Sequence, residues 1–141
     1  MKLPGLYEIR WHGRGGMGAV TASLILADAL VREGKYVQAI PEFGPERRGA
    51  PVRAYNRISQ RPIRLRSGIT EPDAVVVIDP GFSTNPMVLE GLSPEGVILV
   101  NSALSPQEIW ERLSPDESRT LWVVDATRIA MEEFGRNIPN T

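Results

Sequence analysis

Short runs of consecutive apolar residues recur in the second half of the chain, and each run ends at an acidic residue or an amide. The runs are residues 74–78, 97–100 and 121–124, followed by Asp79, Asn101 and Asp125. Continuous β-branched runs of this length are typical of strands buried on both faces of a parallel sheet. Helical patterns separate the runs and follow the last one. They cover residues 86–90, 106–113 and 127–134, and Ser105 before Pro106 is a good N-cap.

The first half of the chain predicts a strand, a helix and a second strand. Tyr7, Ile9 and Trp11 alternate with polar residues, which favours a strand over residues 7–12. Residues 20–31 form a strongly apolar helical segment that Gly34 would end, and residues 36–40 predict the next strand. A unit of about 30 residues suits a right-handed crossover between parallel strands.

Two further extended pieces, residues 52–59 and 62–66, predict a hairpin or two short strands. Strands alternating with helices indicate a parallel sheet covered on both faces. We therefore expect an α/β fold, a three-layer Rossmann-like domain with a mostly parallel sheet, helices on both faces and a short antiparallel hairpin insertion.

Composition narrows the function classes. The 141 residues suit one domain, 1–141, and a net charge of −1 argues against a dedicated nucleic-acid binder. The chain has no cysteine and one histidine, His12, which excludes a disulfide framework, a cysteine nucleophile, a zinc–thiolate site and an iron–sulfur cluster on this chain. No apolar run approaches the ~20 residues of a membrane span, and no signal peptide is evident, so we expect a cytoplasmic protein without a membrane partner.

A glycine-rich turn joins the first predicted strand to the first helix. Gly13, Gly15 and Gly18 fit the pattern G-x-G-x-x-G in that context. Such a helix N-terminus favours phosphate or carboxylate, and Arg14 adds a positive charge. Three interpretations stay open: an anion site, a dinucleotide site, and a tightly packed turn without ligand. The dinucleotide site needs an acidic residue at the tip of the second strand, and Glu42, beyond Pro41, is the only candidate.

The loop after the second strand is rich in charge, proline and glycine. Residues 42–49 read Glu-Phe-Gly-Pro-Glu-Arg-Arg-Gly and are expected at the same carboxyl edge of the sheet as the glycine turn. The loop is either a solvated surface loop with internal ion pairs or a rigid contact loop for a phosphate-bearing ligand or a partner subunit.

The remaining charged residues and the histidine can be explained without a ligand. A stripe of arginines is expected to be a solvated face, with a subunit contact or attraction for acidic ferredoxin as the alternative. The stripe consists of Arg53, Arg57, Arg61, Arg64 and Arg66. Asp79 and Asp125 either cap helices or face the site. His12, a lone histidine at a strand end, is expected to be structural.

The two loops together resemble a known family. His-Gly-Arg-Gly-Gly-Met-Gly-Ala-Val at 12–20, followed by Pro-Glu-Phe-Gly-Pro-Glu-Arg-Arg-Gly-Ala-Pro-Val at 41–52, is similar to the gamma component of 2-oxoacid:ferredoxin oxidoreductases. The segment 72–79 and the Asp-Ala-Thr at 125–127 extend the resemblance over residues 7–141. The arginine and methionine of the glycine turn and the double arginine at 47–48 are most similar to the pyruvate and 2-oxoisovalerate branches of the family. Family members usually continue further, so the resemblance implies a C-terminally shortened domain.

The resemblance implies a subunit of a multi-subunit enzyme that is inactive alone. The complex would decarboxylate a 2-oxoacid on thiamine diphosphate and Mg, pass electrons through [4Fe–4S] clusters to ferredoxin, and release acyl-coenzyme A. Those cofactors would belong to alpha, beta and delta type subunits, and this chain would cover the coenzyme A side with no catalytic or metal-binding residue of its own. The expected contact residues are Gly13, Arg14, Gly15, Gly16, Met17, Gly18, Glu42, Glu46, Arg47 and Arg48.

Two alternatives belong to other function classes. One is a free-standing Rossmann-like nucleotide-binding oxidoreductase domain, and the other is a scaffold domain without ligand. The first of these predicts binding of NAD(H) by the isolated chain, and the second predicts neither a small ligand nor oxidoreductase partners.

Overall fold

The computed structural model describes residues 4–16, 18–42 and 50–137, which form six strands, three α-helices and two short 3-10 helices. The strands are β1 Leu6–Arg14, β2 Tyr36–Glu42, β3 Pro51–Ser59, β4 Ala74–Val77, β5 Val97–Asn101 and β6 Thr120–Val124. The α-helices are α1 Ala19–Arg32, α2 Pro106–Leu113 and α3 Ala126–Phe134, and the 3-10 helices are Pro80–Phe82 and Pro86–Leu89.

The strands form one sheet in the order β2-β3-β1-β4-β5-β6. β1, β4, β5 and β6 pair in parallel, whereas β3 is antiparallel to both of its neighbours. β2 therefore runs parallel to β1, with β3 inserted between them. The expected α/β fold with a mostly parallel sheet is confirmed.

The antiparallel hairpin consists of different segments from those expected. β2 and β3 form it, with Tyr36 opposite Ser59 and Glu42 opposite Arg53. Residues 62–66 form no strand, so the expected pairing of 52–59 with 62–66 is wrong. The backbone of this segment forms a hydrogen bond with a side chain instead. The Leu65 carbonyl accepts from the Gln38 side-chain amide at 2.9 Å.

The two faces of the sheet pack on different helices, because successive strand side chains point in opposite directions. Val75 and Val77 of β4 pack with Ile109 and Leu113 of α2 in the larger core cluster. Val76 points to the other face, where Trp11 and the start of α1 form a second cluster. α1 lies across β1, β2 and β3, and α2 lies against β6.

Side chains of the predicted types cap the helices. Ser105 Oγ accepts from the Glu108 N–H at 3.2 Å at the start of α2. Asp79 and Asp125, for which capping was one of two expectations, accept from the N–H groups of Gly81 at 2.9 Å and Arg128 at 3.0 Å. In the described part of the chain, no helix has the length and apolar character needed to cross a membrane.

Candidate functional site

The glycine turn brings the end of β1 very close to the start of α1. A Cβ atom on Gly13 would lie 2.9 Å from the Ala19 Cβ, so a larger residue at position 13 would push the helix away. Gly18 occupies the N-cap of α1 with φ of 82°, a conformation that glycine adopts without strain. The glycines at 13 and 18 are therefore explained by close packing and turn geometry.

The glycine turn lies next to the residues that flank the charged loop, Glu42 and Ala50. The Gly15 N–H donates to the Ala50 carbonyl, the last residue before β3, at 2.9 Å. Gly13 and Glu42 both line one groove of about 440 Å³ at this edge. The remaining lining residues are His12, Pro51, Val52, Arg53, Phe82, Met87 and Glu90. Of the expected contact residues, Met17, Glu46, Arg47 and Arg48 lie outside the described residues.

Arg14 is held by a carboxylate and by the ring of Phe82, which lines the groove. Its Nε donates to Asp79 Oδ2, and its guanidinium lies 4.4 Å from the centre of the Phe82 ring. Asp79 follows β4 and caps the next 3-10 helix, so the capping role considered from the sequence is confirmed, whereas a role at the site stays a prediction.

Glu42 is the last residue of β2, whereas the sequence placed it beyond the strand. The strand continues through Pro41 because β3 pairs with it to the end. The Glu42 carboxylate accepts from Arg53 Nη2 at 3.0 Å and from the Tyr55 hydroxyl at 2.8 Å. Burial and this hydrogen bond raise the pKa of Tyr55, which stays a neutral donor. A carboxylate engaged in this way does not favour the ribose contact of a dinucleotide site.

A buried arginine, Arg10, holds the single histidine of the chain, His12, which lines the groove. Arg10 Nε donates to His12 Nε2 at 2.8 Å, and Arg10 Nη2 donates to the Val88 carbonyl at 2.9 Å. Burial, together with the charges of Arg10 and Arg53, lowers the pKa of His12 to about 3. His12 is therefore a neutral hydrogen-bond acceptor near pH 7. In the described residues, no three histidine, aspartate or glutamate side chains cluster as metal ligands.

Acid is expected to destabilise the fold through His12. The unfolded state takes up a proton below its pKa of about 6.5, whereas the folded state does so only near 3. Between these values the unfolded state binds more protons, so the free energy of unfolding falls by about 1.4 kcal/mol for each pH unit lost. Urea unfolding at pH 7, 6 and 5 measures this slope. His12→Gln should remove the His12 contribution, and an unchanged slope in that variant would contradict the assignment.

One member of the predicted arginine stripe lies in the interior. Arg57 is 2% exposed, and its Nε donates to Glu8 Oε2 at 2.8 Å. Its other nitrogens donate to Gln38 Oε1 and to the Ser67 carbonyl, both at 2.9 Å. The expectation of a solvated stripe is wrong for Arg57, because Glu8, Gln38 and the backbone at Ser67 enclose its guanidinium. Arg64 and Arg66 are exposed as expected.

These features define a Rossmann-like α/β domain with a glycine turn and a second loop at one edge of the sheet. The model of the family "Pyruvate ferredoxin/flavodoxin oxidoreductase" matches residues 8–141. The common subunit gamma of the pyruvate/ketoisovalerate oxidoreductases of Pyrococcus furiosus is 52% identical over 136 residues, which are 96% of this chain and 73% of the relative. Pyruvate synthase subunit PorC of Thermotoga maritima is 50% identical over 135 residues, 96% of this chain and 69% of the relative.

The fold agrees with these relationships. A crystal structure of the pyruvate oxidoreductase subunit PORC of Thermotoga maritima matches with a TM-score of 0.84 and 45% identity, covering 97% of this chain and 71% of that one. The chain belongs to the pyruvate ferredoxin/flavodoxin oxidoreductase family. The resemblance to the gamma component, based on the two loops, is thereby confirmed.

Proposed function

We propose that this chain, as a gamma subunit of a 2-oxoacid:ferredoxin oxidoreductase, covers the coenzyme A side of the active site with the edge that carries the glycine turn and the 42–49 loop. The supporting observation is that the glycine turn lies next to both ends of that loop, at Glu42 and at Ala50. The Gly15 N–H donates to the Ala50 carbonyl, and Gly13 and Glu42 line the same groove. The proposal extends to pyruvate or a branched-chain 2-oxoacid as the substrate and to the cytoplasm as the location.

The chemistry of this edge suits a phosphate-bearing ligand. The N-terminus of α1 carries a partial positive charge, and arginines form charge-assisted hydrogen bonds with phosphate. Arg14 packs over the ring of Phe82, which lines the groove, and Arg47 and Arg48 belong to the charged loop. Coenzyme A combines phosphates with a pantetheine arm that carries methyl and methylene groups between its amides, and the groove offers Phe82 and Met87 beside its charged residues.

The redox and decarboxylation steps are proposed to reside on other subunits. Iron–sulfur clusters need thiolate ligands, and the sequence has no cysteine, so its donor set does not fit a [4Fe–4S] cluster. Alpha, beta and delta type subunits would hold the clusters together with thiamine diphosphate and Mg. This chain would then shape the site where the acyl group leaves, and it would meet ferredoxin only through the complex.

The double variant Arg47→Ala/Arg48→Ala tests the proposed contact in the reconstituted complex. Each lost charge-assisted hydrogen bond costs about 1.5–3 kcal/mol, so the Michaelis constant for coenzyme A should rise about tenfold or more. The matched control Arg64→Ala/Arg66→Ala removes the same charge from exposed positions outside the groove and should leave that constant unchanged.

Three results would overturn the proposal. One is an unchanged Michaelis constant for coenzyme A together with unchanged assembly of the Arg47→Ala/Arg48→Ala complex. Another is tight binding of NADH by the isolated chain, which would favour the free-standing nucleotide-binding domain. The third is a defect in assembly alone, which would assign the loop to a partner subunit and remove coenzyme A from its role.

A further inference from the structure

On the α1 side, the sheet is covered over only half of its width. α1 packs on β1, β2 and β3. Across the strands that follow, Val76, Leu99 and Trp122 lie side by side in register on this side. Leu99 is 36% exposed and Trp122 63% exposed, and the next residue of β6 on this face, Val124, is 39% exposed. Within the described residues, these side chains are exposed to solvent, whereas the opposite side of β4 and β5 is buried in the larger core cluster.

Helix α1 forms one wall beside these strands. Ile25 of α1 is 52% exposed and, with Val76, Leu99 and Val124, lines a groove of about 360 Å³. We call the surface formed by Ile25, Val76, Leu99, Trp122 and Val124 the open face. Contiguous apolar surfaces of this kind mark interaction sites, because exposing them to water is unfavourable.

The open face suits apolar side chains and not a polar ligand. Among the described residues, Asn101 is the single polar one that lines the groove. Its amide nitrogen already donates to the Ile78 carbonyl at 2.8 Å and to the Thr127 hydroxyl at 2.9 Å, and its Oδ1 accepts from the Thr127 N–H at 3.2 Å. The groove therefore favours an amphipathic polypeptide segment as its occupant.

The relatives are longer than this chain by an amount that suits such a segment. The 136 matched residues are 73% of the Pyrococcus furiosus relative, which leaves about 50 further residues. The last described helix, α3, begins at the rim of the open face, where Ala126 lines the groove and Thr127 bonds to Asn101. A helix of about 15 residues is ~22 Å long, enough to cross three strands spaced ~4.8 Å apart.

We propose that the open face is the docking surface for the additional polypeptide by which these relatives exceed this chain. An amphipathic segment of that polypeptide packs on β4, β5 and β6 as α1 packs on β1, β2 and β3. The contact closes the second half of this layer and buries Trp122.

The test uses this chain and the part of the Thermotoga maritima relative outside the matched region, supplied as a separate polypeptide. Binding should shift the emission of Trp122 to shorter wavelength, and Trp122→Phe should lose that shift. Ile25→Lys should weaken binding about tenfold or more, because it places a charge in the apolar contact. Leu24→Lys is the matched control: Leu24 is the adjacent residue on α1, is 51% exposed and does not line the groove. It should bind as the unchanged chain does.

A fusion in which the same segment follows Thr141 keeps the test decisive if the separate polypeptide does not fold. In the fusion, amide hydrogen exchange of β5 and β6 should slow at least tenfold, and Ile25→Lys should reverse this change while Leu24→Lys should not. Absence of both binding and added protection would overturn the proposal, as would binding that Ile25→Lys leaves unchanged. A dimer of this chain that Ile25→Lys dissociates would also overturn it, because a second copy would then be the occupant.

Discussion

Replacing Arg57 by methionine is expected to lower the free energy of unfolding by about 3–5 kcal/mol, because it leaves a buried carboxylate without its arginine partner. Arg57 donates to Glu8 at 2.8 Å, and both side chains lie almost wholly inside the protein. It also donates to Gln38 and to the Ser67 carbonyl. Methionine fills a similar volume as the arginine stem but supplies none of these donors. Urea unfolding monitored by circular dichroism measures the loss.

The matched control is Arg66→Met, which removes an exposed arginine and should change the free energy of unfolding by less than about 0.5 kcal/mol. The double variant Glu8→Met/Arg57→Met should recover much of the loss, since removing both charges leaves no buried ion behind. If Arg57→Met is as mild as Arg66→Met, the ion pair does not stabilise the centre of the sheet.

The predictable part of the fold follows from local patterns. Runs of β-branched residues predicted β4, β5 and β6 to within one residue at each end. Ser105 and Pro106 fixed the first turn of α2, and Gly34 ended α1 with a positive φ of 83°. Each of these signals lies within a few residues of the feature that it determines, which is why one sequence was enough to find them.

The position of β3 could not be predicted in the same way. Arg53 and Arg57 lie four residues apart on one face of this strand, as on a strand with one solvated face. Arg57 is buried because Glu8, which lies 49 residues away in sequence, supplies the opposite charge inside the protein. Such a pairing leaves no local pattern, and only the three-dimensional arrangement of β1 and β3 shows it.

The candidate site was predictable in location but not in its ion pairs. The rule that parallel strands end at a common edge placed Gly13, Glu42 and Asp79 together, and the structure has all three at that edge. It could not show that Arg14 pairs with Asp79 or that Glu42 pairs with Arg53. These contacts join residues from different strands, and any ligand at the groove meets them as preformed pairs.

Replacing Arg10 by methionine is expected to lower the free energy of unfolding by about 2–6 kcal/mol, because each of two buried acceptors left without a donor costs about 1–3 kcal/mol. The two acceptors are the Val88 carbonyl and His12 Nε2, and Arg10 itself is 4% exposed. The substitution also removes a positive charge beside His12, so the pKa of His12 should rise from about 3. Urea unfolding measures the first effect, and an NMR titration of the imidazole measures the second.

Urea unfolding and the imidazole titration together distinguish an electrostatic effect of Arg10 on His12 from a loss of packing alone. A higher pKa of folded His12 brings it closer to the unfolded value, so Arg10→Met should show a smaller loss of stability on acidification than the unchanged chain. Arg61→Met, at an exposed position, is the control and should alter neither the stability nor the titration. An Arg10→Met protein with an unchanged His12 titration would contradict the link. Arg10 also bonds to the Val88 carbonyl, and Val88 lies between the groove residues Met87 and Glu90 in sequence. Loss of Arg10 should therefore disturb this side of the groove as well as His12.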